Sequence, residues 1–221
     1  MILTPSGPRT DLSPLVNFGI PVVLVDRTLP AQQADSVLVD NVSGACEAVS
    51  HLLAGGYKRI ACITGPLTTT TGYQRQVGYH KALKEAGVAP DESLVREADF
   101  RQLGGQLAMQ ELLDQDPRPD AVFVTNHLMT IGVLQAITQA KLAIPADIAV
   151  VSFDDMPWSA LLQPPLTAVA QPAYDLGVES ARLLLSRLEG YTGAARMVTL
   201  SPTLQVRGSS SPKSRVAARH R

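Results

Sequence analysis

Several side chains suited to binding a small hydroxylated molecule follow short apolar runs of this sequence. They are one arginine, two aspartates, an asparagine, a glutamine, a threonine and an aromatic residue: Arg75, Asp26, Asp154, Asn126, Gln171, Thr71 and Phe100. An arginine donates several hydrogen bonds, whereas carboxylate and amide oxygens accept them from hydroxyl groups. An aromatic ring can stack on the apolar face of a sugar or on a base. The set therefore predicts a site for a polyhydroxylated ligand if the fold brings these side chains together.

Each of these residues also has a purely structural interpretation. Arg75 could be a solvated helix residue, and Phe100 could belong to the core. Asn126 could be only the N-cap of the next helix or could cap it and bind a ligand, and Asp154 could cap the helical turn at Pro157–Leu161. Asp155 is better suited to that capping role than Asp154. The prediction of a site thus depends on the convergence of several residues rather than on any one of them.

The sequence shows no pattern typical of a catalytic or metal centre. Asp154 and Asp155 are adjacent and point in different directions, whereas the carboxylates of a glycosidase flank the scissile bond at about 5 to 9 Å. The 4 histidines form no i, i+4 pair, and GPLTTTTG (65–72) lacks the Lys-Ser/Thr ending of a phosphate-binding loop. We therefore predict that the chain is not an enzyme and needs neither a cofactor nor a metal.

The composition favours a cytoplasmic globular protein. The 221 residues are 45% hydrophobic, and the formal net charge of -1 predicts no long-range attraction to nucleic acid or to a membrane. No apolar run approaches the ~18 residues of a membrane-spanning helix, and the N-terminus lacks the features of a signal peptide. Cys46 and Cys62 lie in apolar segments and are expected to be buried free thiols.

Short apolar runs rich in β-branched residues alternate with helical patterns. The runs read as buried parallel strands: Val22–Val25, Ser36–Val39, Ile60–Ile63, Ala121–Val124 and Ile148–Val151. Two of the helix faces are marked by small and apolar residues: Leu103, Leu107 and Leu112 for one, and Gly177, Ala181, Leu184 and Leu188 for the other. This alternation predicts an α/β fold with doubly wound parallel sheets. Because ligands bind beyond the carboxyl ends of such strands, the candidate residues would meet at one edge.

From residue 2 to residue 208 the sequence resembles the effector-binding core of LacI-type bacterial transcriptional regulators. The resemblance is carried by these segments: GIPVVLVDR (19–27), VDNVSGACEAVSHLLAGGYKRIACITGP (39–66), RQVGYHKAL (75–83), TNHLMTIGVLQAI (125–137), PADIAVVSFDD (145–155) and PPLTAVAQP (164–172). The combination of FDD with PPLT-x-V-x-QP is specific, because periplasmic sugar-binding proteins of the same fold usually lack it. His127 and Ser152 depart from the family pattern, which usually has Asp and Gly there.

The resemblance implies a role for each candidate residue of the site. Arg75 matches the ligand-clamping arginine of the family, Asp154 its ligand-binding aspartate, and Asn126 the asparagine of its Asn-Asp pair. Phe100 matches a stacking aromatic residue, and Asp26 a polar contact from the other lobe.

The resemblance also implies a periplasmic-binding-protein-like fold whose two lobes close on a small molecule. Gln171 would lie where the chain crosses from one lobe to the other. The implied division is a first, N-terminally truncated lobe at residues 1–39 and 171–200, a second lobe at residues 40–170 and 201–208, and a flexible tail at residues 209–221.

The implied function is the sensing of a small effector for transcription regulation. A sugar or sugar derivative is the first expectation for this effector, and a nucleoside or purine is the second. A homodimer would form through the second lobe at Ile131, Leu134 and Leu162, and operator DNA would be bound only through an absent N-terminal domain. A transport-linked sugar-binding protein is the alternative function, and an enzyme on the same fold is a third one.

The resemblance further predicts that the sequence is a fragment. Family members begin with a helix-turn-helix and a hinge helix, followed by two strand-helix units of the first lobe, and none of these is recognisable here. The first lobe would then have an unpaired edge and an uncovered apolar face. We therefore expect the 221-residue product to be poorly soluble or to bind a hydrophobic dye strongly, and the upstream coding sequence to correct this.

Overall fold

The computed structural model of the chain describes residues 1–29 and 34–213, which form two β-sheets with helices packed against them. The first sheet has the order β1-β2-β3-β9 and contains β1 (Ile2–Leu3), β2 (Val23–Val25), β3 (Asp35–Val39) and β9 (Met197–Leu200). The second has the order β10-β8-β7-β6-β4-β5 and contains β4 (Ile60–Thr64), β5 (Val95–Glu97), β6 (Ala121–Val124), β7 (Ala149–Phe153), β8 (Thr167–Ala170) and β10 (Thr203–Gln205). The helices are α1 (Ser13–Asn17), α2 (Asn41–Ala54), α3 (Thr70–Glu85), α4 (Gln102–Leu113), α5 (His127–Gln139) and α6 (Ala173–Leu188).

Neighbouring strands in these residues are parallel, apart from the antiparallel pair of β8 and β10. In the first sheet, Val37 of β3 lies opposite Val25 of β2 on one side and Val198 of β9 on the other. In the second sheet, β6 lies between β4 and β7 at the centre. The predicted α/β class with doubly wound parallel sheets is confirmed.

The second sheet is buried on both of its faces. Cys62, Phe123 and Val151 belong to the core on the side of α2 and α3. The side chains that alternate with them, such as Val122 and Val150, belong to the core on the side of α4 and α5. Each fully buried aliphatic or aromatic side chain contributes roughly 1.5 to 3 kcal/mol. Burial of both faces explains why these strands are uninterrupted apolar runs in the sequence.

Helices begin directly beyond the carboxyl ends of several strands, and polar side chains cap them. The carboxylate of Asp40 accepts from the backbone N–H of Ser43 at 3.0 Å at the start of α2. The amide oxygen of Asn126 accepts from the N–H of Met129 at 2.9 Å at the start of α5. Thr69 caps α3 in the same way. This arrangement gathers the N-termini of α2, α3 and α5 beyond the carboxyl ends of strands from both sheets.

The predicted buried face of α4 is wrong. Leu103 and Leu107 are 64% and 52% exposed, although Leu112 is fully buried. Gly105 faces α5 so closely that a Cβ atom there would overlap the backbone of Met129. Only a small residue fits where α4 and α5 come this close, so Gly105 must face α5. Leu103 and Leu107 therefore point away from α5.

The predicted face of α6 is shifted by one position. The buried residues are Leu176, Ser180 and Leu183, which lie on the first sheet, whereas Leu188 is 63% exposed. Ser180 can be buried because its hydroxyl donates a hydrogen bond to the carbonyl of Leu176 within the helix. A buried serine does not contribute to a hydrophobic pattern. The pattern in the sequence therefore indicated the adjacent face of the helix as the buried one.

The C-terminal tail does not begin at residue 209 as predicted. Ser209 and Ser210 are buried. The Ser209 hydroxyl donates to the carbonyl of Val150 at 2.6 Å, and Ser210 Oγ lies 2.8 Å from His51 Nε2. These bonds form because β7 and α2 offer polar partners that the sequence of the tail does not reveal. The remainder of the predicted tail, residues 214–221, lies outside the described residues.

In the described ranges, no helix has both the length and the apolar character needed to span a membrane. The same ranges contain no group of three or more His, Cys, Asp or Glu residues placed to hold a metal ion. Cys46 and Cys62 are buried free thiols, as predicted. Burial raises the pKa of the Cys62 thiol well above its usual range.

Candidate ligand-binding site

Three residues near the carboxyl ends of strands have left-handed backbone conformations, although none of them is glycine. Asp26 follows β2, Phe100 lies beyond β5, and Asp154 follows β7, with φ angles of 68°, 61° and 77°. Such a conformation costs roughly 1 to 3 kcal/mol at a residue with a side chain, and it is typical of ligand-binding sites. The sequence predicts all three as ligand contacts.

The side chain of Arg75 is held by several contacts at once. It projects from α3 and is 3% exposed. Its Nε donates to the Asn41 amide oxygen at 2.7 Å, and its Nη1 donates to the carbonyl of Thr125 at 2.7 Å. The guanidinium carbon also lies 3.7 Å from the ring centroid of Phe153. These contacts fix the plane of the guanidinium, and we find no partner for Nη2 among the described residues.

Asp154 lies beside Arg75 but does not form a direct hydrogen bond with it. The distance from Arg75 Nη1 to Asp154 Oδ1 is 3.9 Å, which is too long for a hydrogen bond. Gln171 donates its amide N–H to Oδ1, and His127 Nδ1 lies 3.2 Å from Oδ2. Burial raises the pKa of Asp154, but the hydrogen bond from His127 and the charge of Arg75 outweigh burial and hold the pKa below its usual value. The carboxylate is therefore charged at neutral pH.

Asp26 and Arg27 reach the same place from the first sheet. Burial raises the pKa of Asp26, and the charges of Arg75 and Arg27 oppose that rise. Arg27 Nε lies 3.5 Å from the Asp26 carboxylate, and its guanidinium lies 5.3 Å from the ring centroid of Phe100. Side chains from both sheets thus meet around Arg75 and Asp154.

Phe100 and Asn126 contact each other through the loop beyond β5. The amide N–H of Asn126 donates to the carbonyl of Phe100 at 3.4 Å, while its amide oxygen caps α5. One side of the Phe100 ring lies so close to Gly65 that a Cβ atom on the glycine would overlap it. A ligand that stacks on this ring would therefore share its free side with Arg27.

Thr71 is the predicted site residue that the structure does not bring into contact with the others. It lies one helical turn before Arg75 and is 1% exposed. Its hydroxyl is buried and has no hydrogen-bond partner within the described part of the chain. Its contact with a ligand stays a prediction.

Asp155 is structural, but it does not cap the turn at Pro157–Leu161. Its two carboxylate oxygens accept from Nη1 and Nη2 of Arg207 at 2.8 and 2.7 Å. The turn is instead closed by Ser159, whose hydroxyl accepts from the N–H of Met156. Asp155 therefore anchors the C-terminal segment to the loop that carries Asp154, which no local sequence pattern could show.

Sequence reasoning missed three residues that belong to this site. They are Asn41, Arg27 and His127, which contact Arg75, Phe100 and Asp154 respectively. Each directly follows a polar residue at the end of a strand, so its position is the signal that could have indicated it.

The predicted dimer residues line one groove beside α5. Ile131 and Leu134 are partly exposed and line a groove with a volume of ≈ 730 Å³. Leu162 and Trp158 line its other side. That a second copy of the chain covers this groove stays a prediction.

Comparison with known proteins identifies the family. The sequence model described as "Periplasmic binding protein-like domain" matches residues 49–210. The HTH-type transcriptional regulator CelR of Thermobifida fusca is 39% identical over 193 residues, which cover 86% of this chain and 57% of that protein. The Ribose operon repressor of Escherichia coli (strain K12) is 37% identical over 190 residues, covering 86% of this chain and 58% of that protein. The chain thus spans somewhat more than half the length of these relatives.

Solved structures are similar over nearly the whole chain. A complex of the transcriptional regulator CelR with cellobiose superposes with a TM-score of 0.88 at 37% identity, covering 94% of this chain and 64% of that chain. A LacI family transcriptional regulator from Enterococcus faecium with bound ribose gives a TM-score of 0.86 at 25% identity, covering 96% of this chain and 80% of that chain. The chain therefore belongs to the family of periplasmic-binding-protein-like domains, in the form that LacI-type transcriptional regulators use as their effector-binding core.

Proposed function

We propose that the chain binds an uncharged sugar between its two sheets and serves as the effector-sensing region of a LacI-type transcriptional regulator. The observation that carries the proposal is the pair of Arg75 and Asp154, which are 3.9 Å apart and rigidly held. The arginine offers donors and the carboxylate offers acceptors, so one sugar hydroxyl can bond to both. Relatives with cellobiose and with ribose support the choice of a sugar.

The charges around this pair favour an uncharged ligand. Asp26 and Asp154 contribute two carboxylates, and Arg27 and Arg75 contribute two guanidinium groups. These charges balance, so a phosphate or carboxylate on the ligand would leave an excess negative charge in a partly buried site. A nucleoside is the second candidate, because Phe100 offers a ring for a base.

The regulator is a better proposal than a transport protein or an enzyme. The relatives named above are a transcriptional regulator and an operon repressor. A sensor that controls transcription acts in the cytoplasm, and we place this protein there. Binding of the sugar would shift the equilibrium between two arrangements of the sheets, which is how such a sensor transmits a signal.

A screen of thermal unfolding tests the proposed ligand class. The panel contains cellobiose, D-ribose, other neutral mono- and disaccharides, their phosphate esters, and nucleosides. A sugar present at about 100 times its dissociation constant should add about 2.7 kcal/mol to the free energy of unfolding and raise the melting temperature. A shift with phosphate esters alone would refute the uncharged ligand, and a shift with nucleosides alone would favour the second candidate.

We further propose that the chain forms a homodimer through the groove on α5. Ile131 and Leu134 leave apolar surface partly exposed there, and a self-complementary patch is the usual basis of a two-fold dimer. Ile131→Asp would place a charge in the centre of that contact. We expect the wild-type chain to sediment as a dimer and the Ile131→Asp chain as a monomer.

Leu107→Asp is the matched control for this experiment. It introduces the same charge at an exposed leucine of α4 that does not line the groove. It should leave the sedimentation coefficient unchanged. A wild-type chain that is monomeric at high concentration, or a dimer that survives Ile131→Asp, would show that this face is not the interface.

The chain by itself should bind DNA only weakly and without sequence preference. Its net charge is -1, and its one basic cluster in the sequence, Lys213–Arg221, can contact only a few phosphates. Such binding falls steeply as salt rises. A gel-shift experiment at low and high salt checks this expectation, and a salt-resistant complex with one particular sequence would contradict it.

A further inference from the structure

His127 lies at the start of the helix that follows β6 and contacts the carboxylate of Asp154. It is the first residue of α5, directly after the capping residue Asn126. Its ring nitrogen Nδ1 lies 3.2 Å from Asp154 Oδ2, and its backbone N–H points at the same oxygen at 3.4 Å. The His127 side chain is 32% exposed, whereas the Asp154 side chain is 17% exposed. The Nδ1 edge of the ring therefore contacts Asp154, whereas another edge of the ring is accessible.

The contact with Asp154 determines which ring nitrogen carries the proton. An ionised carboxylate only accepts hydrogen bonds, so Nδ1 must donate to it. In a neutral imidazole the other nitrogen, Nε2, is then an acceptor. We find no partner for Nε2 among residues 1–29 and 34–213. The ring thus offers a free acceptor beside Asp154.

We propose that His127 is a specificity-determining residue, which orients Asp154 through Nδ1 and accepts a hydrogen bond from the ligand at Nε2. The proposal rests on the proposed function, because it names a contact of the same site. It implies that the preferred sugar presents a hydroxyl group, rather than a hydrogen atom, next to the hydroxyl that bonds to Asp154. A site built to pair a hydroxyl discriminates strongly against an analogue that lacks it.

One variant removes the proposed acceptor and keeps the contact with Asp154. His127→Asn retains a donor for Asp154 but lacks the Nε2 acceptor. A loss of affinity in this variant therefore reports the contact at Nε2.

Calorimetric titration with cellobiose and with D-ribose at pH 7.5 tests the proposal. We expect His127→Asn to bind about tenfold more weakly than wild type, which corresponds to one lost hydrogen bond. If His127→Asn keeps the wild-type affinity at pH 7.5, the histidine only positions Asp154 and the proposal is wrong.

A second measurement does not require a sugar. Long-range ¹H–¹⁵N spectra of the histidine-labelled protein at pH 7.5 report the tautomer of each imidazole, and the signals absent from His127→Asn assign His127. We expect the Nδ1-protonated tautomer. A ring protonated at Nε2 would overturn the proposal, even if neither sugar binds and the proposed function has failed on its own.

Discussion

Replacing Arg75 by alanine should abolish sugar binding and also destabilise the chain. Arg75 is 3% exposed, and its removal leaves the amide oxygen of Asn41 and the carbonyl of Thr125 without their donor. Buried polar groups that lose their partners cost about 1 to 3 kcal/mol each. We therefore expect Arg75→Ala to lower the free energy of unfolding by about 2 kcal/mol or more in urea titrations. The lost charge-assisted bond to the ligand should weaken binding by at least about 30-fold.

Two further variants make this result specific. Arg75→Lys keeps the charge but cannot bond to Asn41 and Thr125 in one plane while stacking on Phe153, so it should also lose most of the binding. Arg118→Ala removes an exposed arginine whose distance to Asp147 is 3.7 Å, and it should change neither stability by more than about 0.5 kcal/mol nor binding. Wild-type sugar affinity in Arg75→Ala would show that Arg75 does not hold the ligand.

Replacing Asp35 should have the largest effect on stability outside the site. The Asp35 side chain is fully buried in the first sheet. Arg187 of α6 donates to its two oxygens at 3.0 and 2.8 Å, and the side chain of Arg196 donates at 2.8 Å. Removing one partner of a buried ion pair costs about 3 to 5 kcal/mol, because the remaining charges are left unpaired. We expect Asp35→Ala to lower the free energy of unfolding by about 3 kcal/mol, as measured by urea denaturation.

The contribution of Asp35 should also depend on pH in a defined direction. Burial raises the pKa of Asp35, but the hydrogen bonds from Arg187 and Arg196 outweigh it and hold the pKa well below its usual value. A carboxylate with a depressed pKa stabilises the folded state above its unfolded pKa of about 3.9, and this stability is lost as the pH falls through the folded pKa. The difference in unfolding free energy between wild type and Asp35→Asn should be constant from pH 7 to pH 5 and shrink below about pH 4. A difference that grows on acidification would contradict the ion pair.

The sequence predicted the second sheet well because its strands are buried on both faces. Runs such as Ala121–Val124 are apolar throughout and end at a polar residue, so strand and strand end are both visible. The site residues Asn126 and Asp154 follow from these ends, and Asp26 follows in the same way from the end of β2 in the first sheet. Their left-handed or capping conformations depend on local backbone geometry that the pattern does not encode.

Contacts between segments far apart in the sequence could not be predicted. Asp155 pairs with Arg207, and Ser210 contacts His51. Both contacts depend on where the C-terminal segment crosses the second sheet. Gly105 leaves room for the backbone of Met129, and this close contact determines which side of α4 faces α5. A hydrophobic pattern contains no information about such a steric requirement. Long-range polar pairing and close helix packing thus account for the main errors of the sequence analysis.

The central claim, that a sugar is held between Arg75 and Asp154, is tested most directly by calorimetric titration of the wild-type chain and of Asp154→Asn. The titrants are cellobiose and D-ribose, together with any neutral sugar that raises the melting temperature. The amide keeps the shape of the carboxylate but loses its charge and one of its acceptors. We predict that at least one sugar binds the wild-type chain with a stoichiometry of one and binds Asp154→Asn at least about 30-fold more weakly. Equal affinity in the two proteins, or no saturable binding of any neutral sugar to the wild-type chain, would contradict the claim.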